Sequence, residues 1–246
     1  MIKDYLSIRS DSTDVTESTI SFDNCSKSLK ISYPLFTEPA QYLRFRNGGL
    51  ISGFVKRFVE QWAIDRCLNR LKDVKTICDC PCGPGRLFPY WKKRQFRVIG
   101  AELSEPMVNT ARQMHTDLGL HGYVLKADAF DLDQEVGEIP DMVASVRFCY
   151  YFDSNVRIKL IRTLASISRR YLLLQYKTKE TLKGQRNTSS SKMQKRSHRS
   201  SKHYSTNQEI IDELQTAGLK CLRIENISQA SDFSFVLAEK TNGKMY

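Results

Sequence analysis

Three cysteines alternate in CDCPCGPGRL, residues 78–87, and a Gly-Pro-Gly turn follows the third. Such a stretch could do three kinds of chemistry. Thiolates can hold a metal, a single thiol can act as a nucleophile, or the turn can cradle a small molecule. Zinc sites usually pair a Cys-x-x-Cys knuckle with further Cys or His. Here the spacing is Cys-x-Cys-x-Cys, Pro81 and the glycines interrupt it, and no second knuckle follows, so no metal is expected. The cradle fits better. A short β run, KTICDC (75–80), ends in the acid Asp79 and a tight turn with Gly83 and Gly85. Backbone amides without bulky side chains let a ligand come close. A second β run, FRVIGAEL (96–103), ends in Glu102, 23 residues after Asp79. An acid at that strand end is placed to hydrogen-bond ribose hydroxyls.

The elements that must position these residues alternate along the chain. LISGFVKRFVEQWAIDRCLNRL (50–71) spaces Leu50, Phe54, Phe58, Trp62, Ile64, Leu68 and Leu71 as a helix does, and core packing is expected of that stripe. After the strands at 75–80 and 96–103, SEPMVNTARQMHTDL (104–118) reads as a helix with Ser104 as N-cap and Pro106 in its first turn. Strands follow at 122–129, 140–148 and 170–178, with a helix at 155–168 before the last. A capped helix at 205–219 precedes two strands, 220–228 and 232–240, joined as a hairpin. Alternation of this kind predicts an α/β fold. Its sheet is mostly parallel and seven-stranded, with one antiparallel strand and helices on both faces.

On this order of elements, ICDCPCGPGRL resembles the first motif of class I S-adenosylmethionine-dependent methyltransferases, in a bacterial subgroup form reading Asp-x-Pro-Cys-Gly-x-Gly-Arg. VIGAELSEPMV resembles their second-strand motif, KADAFDL the third-strand motif, PDMVASVRFCYYF the fourth-strand motif, and AGLKCLRI the run into the sixth strand. The resemblance covers about residues 50–240. It implies a Rossmann-like methyltransferase and S-adenosylmethionine as cofactor. It implies cofactor contacts at Asp79, Pro81, Cys82, Gly83, Gly85, Glu102, Leu103, Met107, Asp128, Ala129 and Val146, with Glu102 on the ribose and Asp128 near the adenine amino group. Pro81 stands where most members have their first glycine. A dinucleotide-binding Rossmann enzyme is the alternative for the loop, but Gly-x-Gly-x-x-Gly is absent, since Leu87 and Phe88 follow Gly85-Arg86.

The acceptor belongs at the carboxyl end of the sheet, where the loop after the fourth strand reads Arg147-Phe148-Cys149-Tyr150-Tyr151-Phe152. It lacks the Asp-Pro-Pro-Tyr or Asn-Pro-Pro-Tyr of amino-directed base methylation. The Pro-Cys pair of cytosine C5 methylation occurs only at Pro81-Cys82, after the wrong strand. Arg147, Tyr150 and Tyr151 are the candidate catalytic residues. Arg147 would bind an anion or pair with a carboxylate, and the tyrosines would position the acceptor or face the sulfonium. The subgroup often has His-His where this chain has Tyr150-Tyr151. A phenol with a pKa near 10 needs strong activation to act as a base. His115 and His121 read as surface residues, and His198 and His203 lie in or beside a basic segment.

That segment carries most of the net charge of +11. Residues 177–202 hold nine Lys or Arg against one acid, Glu180. It joins the fifth strand to the next helix beside the acceptor site, far longer than such connections usually are. Residues 183–202 read as low-complexity. The charge favours an anionic partner: an acceptor bearing a glycan or lipid phosphate, RNA, or peripheral contact with an acidic surface. The expected domains are an arm or cap at 1–49, a methyltransferase domain at 50–240 with a basic insert at 179–203, and a tail at 241–246. Residues 1–32 read as a loose arm and 33–45 as an extended segment. Seven scattered cysteines suit buried hydrophobic positions in a reducing compartment. With no apolar leader or spanning run, a cytoplasmic location is expected. The function expected is methyl transfer to an anionic acceptor. The alternatives are an RNA methyltransferase using the basic insert, and a catalytically silent partner protein that still binds the cofactor.

Overall fold

The computed structural model describes residues 39–40, 42, 50–189 and 202–241. A long helix, α1 (Leu50–Leu68), leads into β1 (Thr76–Asp79), α2 (Phe88–Lys93), β2 (Arg97–Glu102), α3 (Glu105–Asp117) and β3 (Gly122–Lys126). Then come α4 (Leu132–Glu135), β4 (Met142–Ser145), a one-turn 3-10 helix (Cys149–Tyr151), α5 (Ser154–Ile167) and β5 (Tyr171–Thr178). The chain continues through α6 (Leu182–Thr188), β6 (Tyr204–Ser205), α7 (Asn207–Thr216), β7 (Leu219–Asn226) and β8 (Phe233–Lys240).

One sheet runs in the order β3-β2-β1-β4-β5-β8-β7. β8 is antiparallel to β5 and to β7, while the other neighbours along this path are parallel. The seven expected strands are present, and β8 is the one that runs against the rest. The eighth strand, β6, pairs in parallel with the end of β5, Lys177 opposite Tyr204 and Thr178 opposite Ser205. Two residues carry too little pattern to announce a strand.

Side chains alternate across the sheet, so neighbours on one strand enter different cores. Cys78, Ile99, Val143 and Leu172 pack with Leu160 and Leu164 of α5 and Ile210 and Leu214 of α7. Ile77, Val98, Met142 and Leu173 pack with Ala63, Ile64 and Leu68 of α1 and with Phe88, Trp91 and Ala111. β1, β4 and β5 are buried on both faces, as inner strands of a parallel sheet must be. The order of the strands reverses between β1 and β4, and a cleft opens there at their carboxyl ends.

Some expectations are corrected here. Residues 39–40 and 42 are helical, not extended. α1 buries Ile64 and Leu68, but Phe58 is 62% exposed and Trp62 44% exposed. Position 62 and position 64 lie about 200° apart on a helix, so one run of apolar residues served two faces. The start of the basic segment is ordered: Thr181 caps α6 by accepting from the Gly184 amide at 3.1 Å. The N-terminal arm at 1–32 and residues 190–201 of the insert lie outside the described residues. Among the described residues no helix is long and apolar enough to cross a membrane.

Candidate functional site

The site is built from the turn after β1. The amide of Cys80 donates to the Ala144 carbonyl and that of Cys82 to the Ala101 carbonyl, so the turn is stitched to the strands on both sides. Asp79 does not reach the cleft. It is 1% exposed, and Trp91 Nε1 donates to its Oδ2 at 3.0 Å. Burial pushes its pKa up to about 7, against the Trp91 bond and the charge of Arg86. The cysteines face inward as well. Cys78, Cys80 and Cys82 are buried, and burial raises the pKa of each thiol. Cys82 Sγ lies 3.2 Å from where a Cβ on Gly100 would stand, on the core side of the turn. Low thiolate character is the opposite of what a nucleophile or a metal ligand needs, and no group of metal ligands occurs among the described residues.

The two turn glycines do different work. Gly83 has φ +57°, and a Cβ there would meet only Tyr42 Cε1, at 4.0 Å. Its surface is open to the cleft. Gly85 has φ +81°, and a Cβ there would stand 2.6 Å from Phe88 Cδ2. Its bareness serves the seating of α2, not a ligand. Glu102, at the end of β2, joins two turns: its Oε2 accepts from the Gly83 amide at 3.1 Å and its Oε1 from the Ser104 amide at 2.8 Å. Each carboxylate oxygen has further acceptor capacity.

The cleft is walled by Tyr42, Pro81, Gly83, Glu102, Leu103, Ser104, Met107, Ala127, Asp128, Ala129, Val146, Arg147 and Phe148. The structure therefore brings together Pro81, Gly83, Glu102, Leu103, Met107, Asp128, Ala129, Val146 and Arg147 of the expected site. It places Asp79, Cys82, Gly85, Tyr150 and Tyr151 behind or beside the wall. Tyr42, Ser104, Ala127 and Phe148 were not singled out by motif. Ser104 stands at the N-cap position of α3 but makes no capping bond through its side chain. Its Oγ is buried at the cleft wall with no hydrogen-bond partner among the described residues. Asp128 Oδ1 accepts from the Phe130 amide at 3.1 Å, which fixes the carboxylate at the start of the turn after β3.

In the loop after β4, Arg147 has φ +64°, and its amide donates to Gln175 Oε1 at 3.1 Å. This reversal sends the chain into the 3-10 turn and turns Tyr150 inward, where it is 1% exposed. Its ring lies 4.8 Å from that of Tyr151 and 5.4 Å from that of Phe233. The Arg147 guanidinium meets Glu60 of α1 at 3.0 Å, and Arg86 meets the same carboxylate at 2.5 Å. Burial alone would raise the pKa of Glu60. Arg86 and Arg147 outweigh it and hold the carboxyl at about 2. Two guanidiniums on one carboxylate leave one positive charge at this wall.

Next to this loop lies a second buried cluster. Lys177 at the end of β5 is ion-paired with Asp232, whose Oδ2 also accepts from Tyr204 Oη at 2.6 Å and from Asn187 Nδ2 at 2.9 Å. Donors from Lys177, Tyr204 and Asn187 hold the Asp232 carboxyl low, although burial opposes them. Lys177 is thus a core residue and not part of the solvated basic charge, and Lys179 pairs with Glu209. Asn187 and Tyr204, which precede and follow residues 190–201 in the chain, thus meet at one buried carboxylate. The His203 amide donates to the Tyr150 carbonyl at 2.9 Å, in the loop after β4. Of the other histidines, His121 is exposed as expected. His115 is not: it is buried, with Nε2 3.2 Å from the Val98 carbonyl and its ring edge-on to Phe88.

Comparison with known proteins agrees with this geometry. Residues 77–170 match the family described as a methyltransferase domain. The matched segment runs from Ile77 in β1 to Arg170, the residue before β5, and holds the whole cleft wall except Tyr42. Malonyl-[acyl-carrier protein] O-methyltransferase of Salmonella typhimurium is 31% identical over 94 residues, which are 37% of this chain and 36% of that protein. The chain therefore spans little more than a third of that relative. Among solved structures, magnesium protoporphyrin IX methyltransferase from Synechocystis PCC 6803, with bound SAH, superposes with a TM-score of 0.65 at 17% identity, over 87% of this chain and 100% of that one. Mitomycin 7-O-methyltransferase superposes with a TM-score of 0.62 at 16% identity, over 85% of this chain and 60% of that one. At these identities the likeness is one of fold: the chain has the Rossmann-like methyltransferase fold.

Proposed function

We propose that this protein is an S-adenosylmethionine-dependent methyltransferase whose acceptor is anionic and enters past Arg147 and Phe148. The observation that carries the reading is the Glu102 carboxylate. It stands at the end of β2, beside the strand-order reversal, between the open surface of Gly83 and the buried hydroxyl of Ser104, which has no partner among the described residues. The residues fit the cofactor. Glu102 has acceptor capacity for ribose hydroxyls, and Gly83 leaves room for close approach. Asp128 can accept from an adenine amino group, and Leu103, Met107, Ala129 and Val146 give apolar walls to a ring. Ser104 Oγ would find a polar partner there. Bound in this cleft, S-adenosylmethionine supplies a methyl carbon already activated by its sulfonium.

The protein's task is then alignment of the acceptor for an in-line displacement. Arg147, held by Glu60, is the cation of the cleft wall and stands in the loop after β4, which suits an acceptor carrying a phosphate or carboxylate. Tyr150 and Tyr151 take a positioning role through the loop they pack. The end of the expected insert lies on the same side, where the His203 amide meets the Tyr150 carbonyl, and cationic residues of the insert would favour the same anionic acceptor. Calorimetric titration with S-adenosylmethionine tests the reading. Binding is expected in the intact protein, and Glu102→Ala should weaken it by about tenfold or more, as the loss of a charged hydrogen-bonding group does. A folded protein that shows no binding overturns the proposal.

A further inference from the structure

The cleft wall is poorly equipped to take a proton. Of its lining residues only Glu102 and Asp128 are carboxylates, and among the described residues no histidine lines it. Glu102 accepts from the Gly83 and Ser104 amides and Asp128 from the Phe130 amide, and the cofactor reading uses both. Tyr42 and Ser104 contribute hydroxyls, which are poor bases near neutral pH. Glu60 meets Arg147 from α1. Burial would raise its pKa, but Arg86 and Arg147 hold it at about 2, far too low for a base. Arg147 is equipped for a different task. Its Nε and Nη2 both meet Glu60 Oε1, at 3.2 and 3.0 Å, and its amide is fixed on Gln175 Oε1. The Nη1 edge of this guanidinium makes no hydrogen bond among the described residues, although it carries two donors. The other cation near the loop, Lys177, is ion-paired with Asp232.

We propose, resting on the cofactor reading above, that the methyl acceptor is an oxygen already ionised before it binds, a carboxylate or phosphate oxygen anchored by the open Nη1 edge of Arg147, so that the product is a methyl ester. A planar guanidinium matches the oxygens of either anion. An alcohol or amine acceptor would have to give up a proton, and the described wall offers no group suited to receive it. An oxyanion has none to give. While one of its oxygens is held on Arg147, another forms the new O–C bond as the C–S bond of the sulfonium breaks and the electron pair leaves on sulfur. The charges of the sulfonium and the oxygen cancel, and no proton moves. The protein then has only to anchor and align the acceptor, which is what a wall with one open guanidinium edge can do.

Probes that share one alkyl chain and differ only in head group separate the cases: octanoate, octyl phosphate, octanol and octylamine. Each is offered to the full-length protein with S-adenosylmethionine tritiated in its methyl group. Binding is read separately by ligand-observed NMR with S-adenosylhomocysteine present. Octanoate or octyl phosphate should bind and take label, and octanol and octylamine should not. Mild alkali releases the label as methanol from a carboxylate ester and leaves it on a methyl phosphate diester, which tells the two anions apart. Arg147→Gln should weaken oxyanion binding about tenfold or more, as loss of a charged hydrogen bond does. Arg147→Lys, which keeps a charge beside Glu60 but loses the Nη1 edge, should weaken it too and serves if the Gln variant does not fold. S-adenosylmethionine titration of the same variants shows that the cleft is intact. Label on octanol or octylamine at a rate equal to that on the oxyanions overturns the proposal. So does unchanged oxyanion binding in a folded Arg147 variant. Loss of transfer in His203→Ala with oxyanion binding intact overturns it as well, by making His203, whose amide meets the Tyr150 carbonyl, the proton acceptor. Label on none of the probes, in protein that binds S-adenosylmethionine, overturns the acceptor class and leaves the cofactor reading standing. Folded protein that binds no S-adenosylmethionine overturns both.

Discussion

Gly83 and Gly85 sit two residues apart in one turn, both with positive φ, and substitution separates their roles. An alanine at Gly85 would bear the backbone strain of that φ and place its Cβ 2.6 Å from the Phe88 ring, inside the core. The expected loss is about 2–4 kcal/mol of stability, read as a lowered melting temperature. An alanine at Gly83 bears only the backbone cost, about 1–2 kcal/mol, but its methyl group points into the cleft. Its main effect should be on S-adenosylmethionine affinity, measured by calorimetry. Equal effects of the two substitutions on stability and on binding would sink this division. Asp79 makes a third residue-scale case. Its folded pKa, near 7, lies above the ordinary 3.8, so the folded state holds a proton that the unfolded state has lost between those values. Stability from this group is present at low pH and declines as pH rises from about 4 through about 7. Asp79→Asn should flatten the fall in melting temperature between pH 5 and pH 8.

At the scale of elements, Glu60 ties α1 to the turn after β1 and to the loop after β4. Nothing in the sequence marked it: it is one glutamate on a charged helix, and its partners lie 26 and 87 residues away. Its folded pKa, near 2, lies below the ordinary 4.5, so its contribution is whole above pH 4.5 and is lost as pH falls toward 2. Glu60→Gln should destabilise the protein by about 2–4 kcal/mol at pH 7, because two partly buried guanidiniums lose their buried counter-charge. The penalty should shrink in melting curves taken near pH 3. The strands were legible because alternation and the Gly-rich turn are local signals, and so were the strand-end residues Glu102 and Asp128. Gly83 was legible as a turn glycine, and it lines the cleft. Gly85 was legible as a glycine, but its reason is Phe88. Tyr150 and Tyr151 were expected to face the acceptor, and the φ +64° at Arg147 that turns Tyr150 inward has no signature in a non-glycine residue. Tyr42 and Phe148 reach the cleft through tertiary approach, which spacing along the chain does not encode.

Across the whole molecule, the surplus charge is not spread evenly over the basic stretch. Lys177 and Lys179 are engaged with Asp232 and Glu209. Of the seven other Lys or Arg of the stretch, four, Lys192, Lys195, Arg196 and Arg199, fall within residues 190–201. The chain on either side is secured by Asn187 and Tyr204 on Asp232, by the cap of α6, and by the pairing of β6 with β5. Folding and charge can therefore be tested apart. Asp232→Asn should cost about 3–5 kcal/mol by leaving Lys177 buried without its counter-charge. Changing Lys192, Lys195, Arg196 and Arg199 together to Gln removes four charges of the net +11. That variant should keep stability to within about 0.5 kcal/mol for each site and should leave S-adenosylmethionine affinity unchanged. If the insert recruits an anionic acceptor, methyl transfer should show a raised KM at unchanged kcat, and the salt dependence of KM should become shallower, because fewer ion contacts remain to be screened. A fall in kcat at constant KM would place these residues in the alignment step instead. Unchanged kinetics at every salt concentration would remove the insert from acceptor recognition and leave the Glu60-held Arg147 as the cationic element that faces the acceptor.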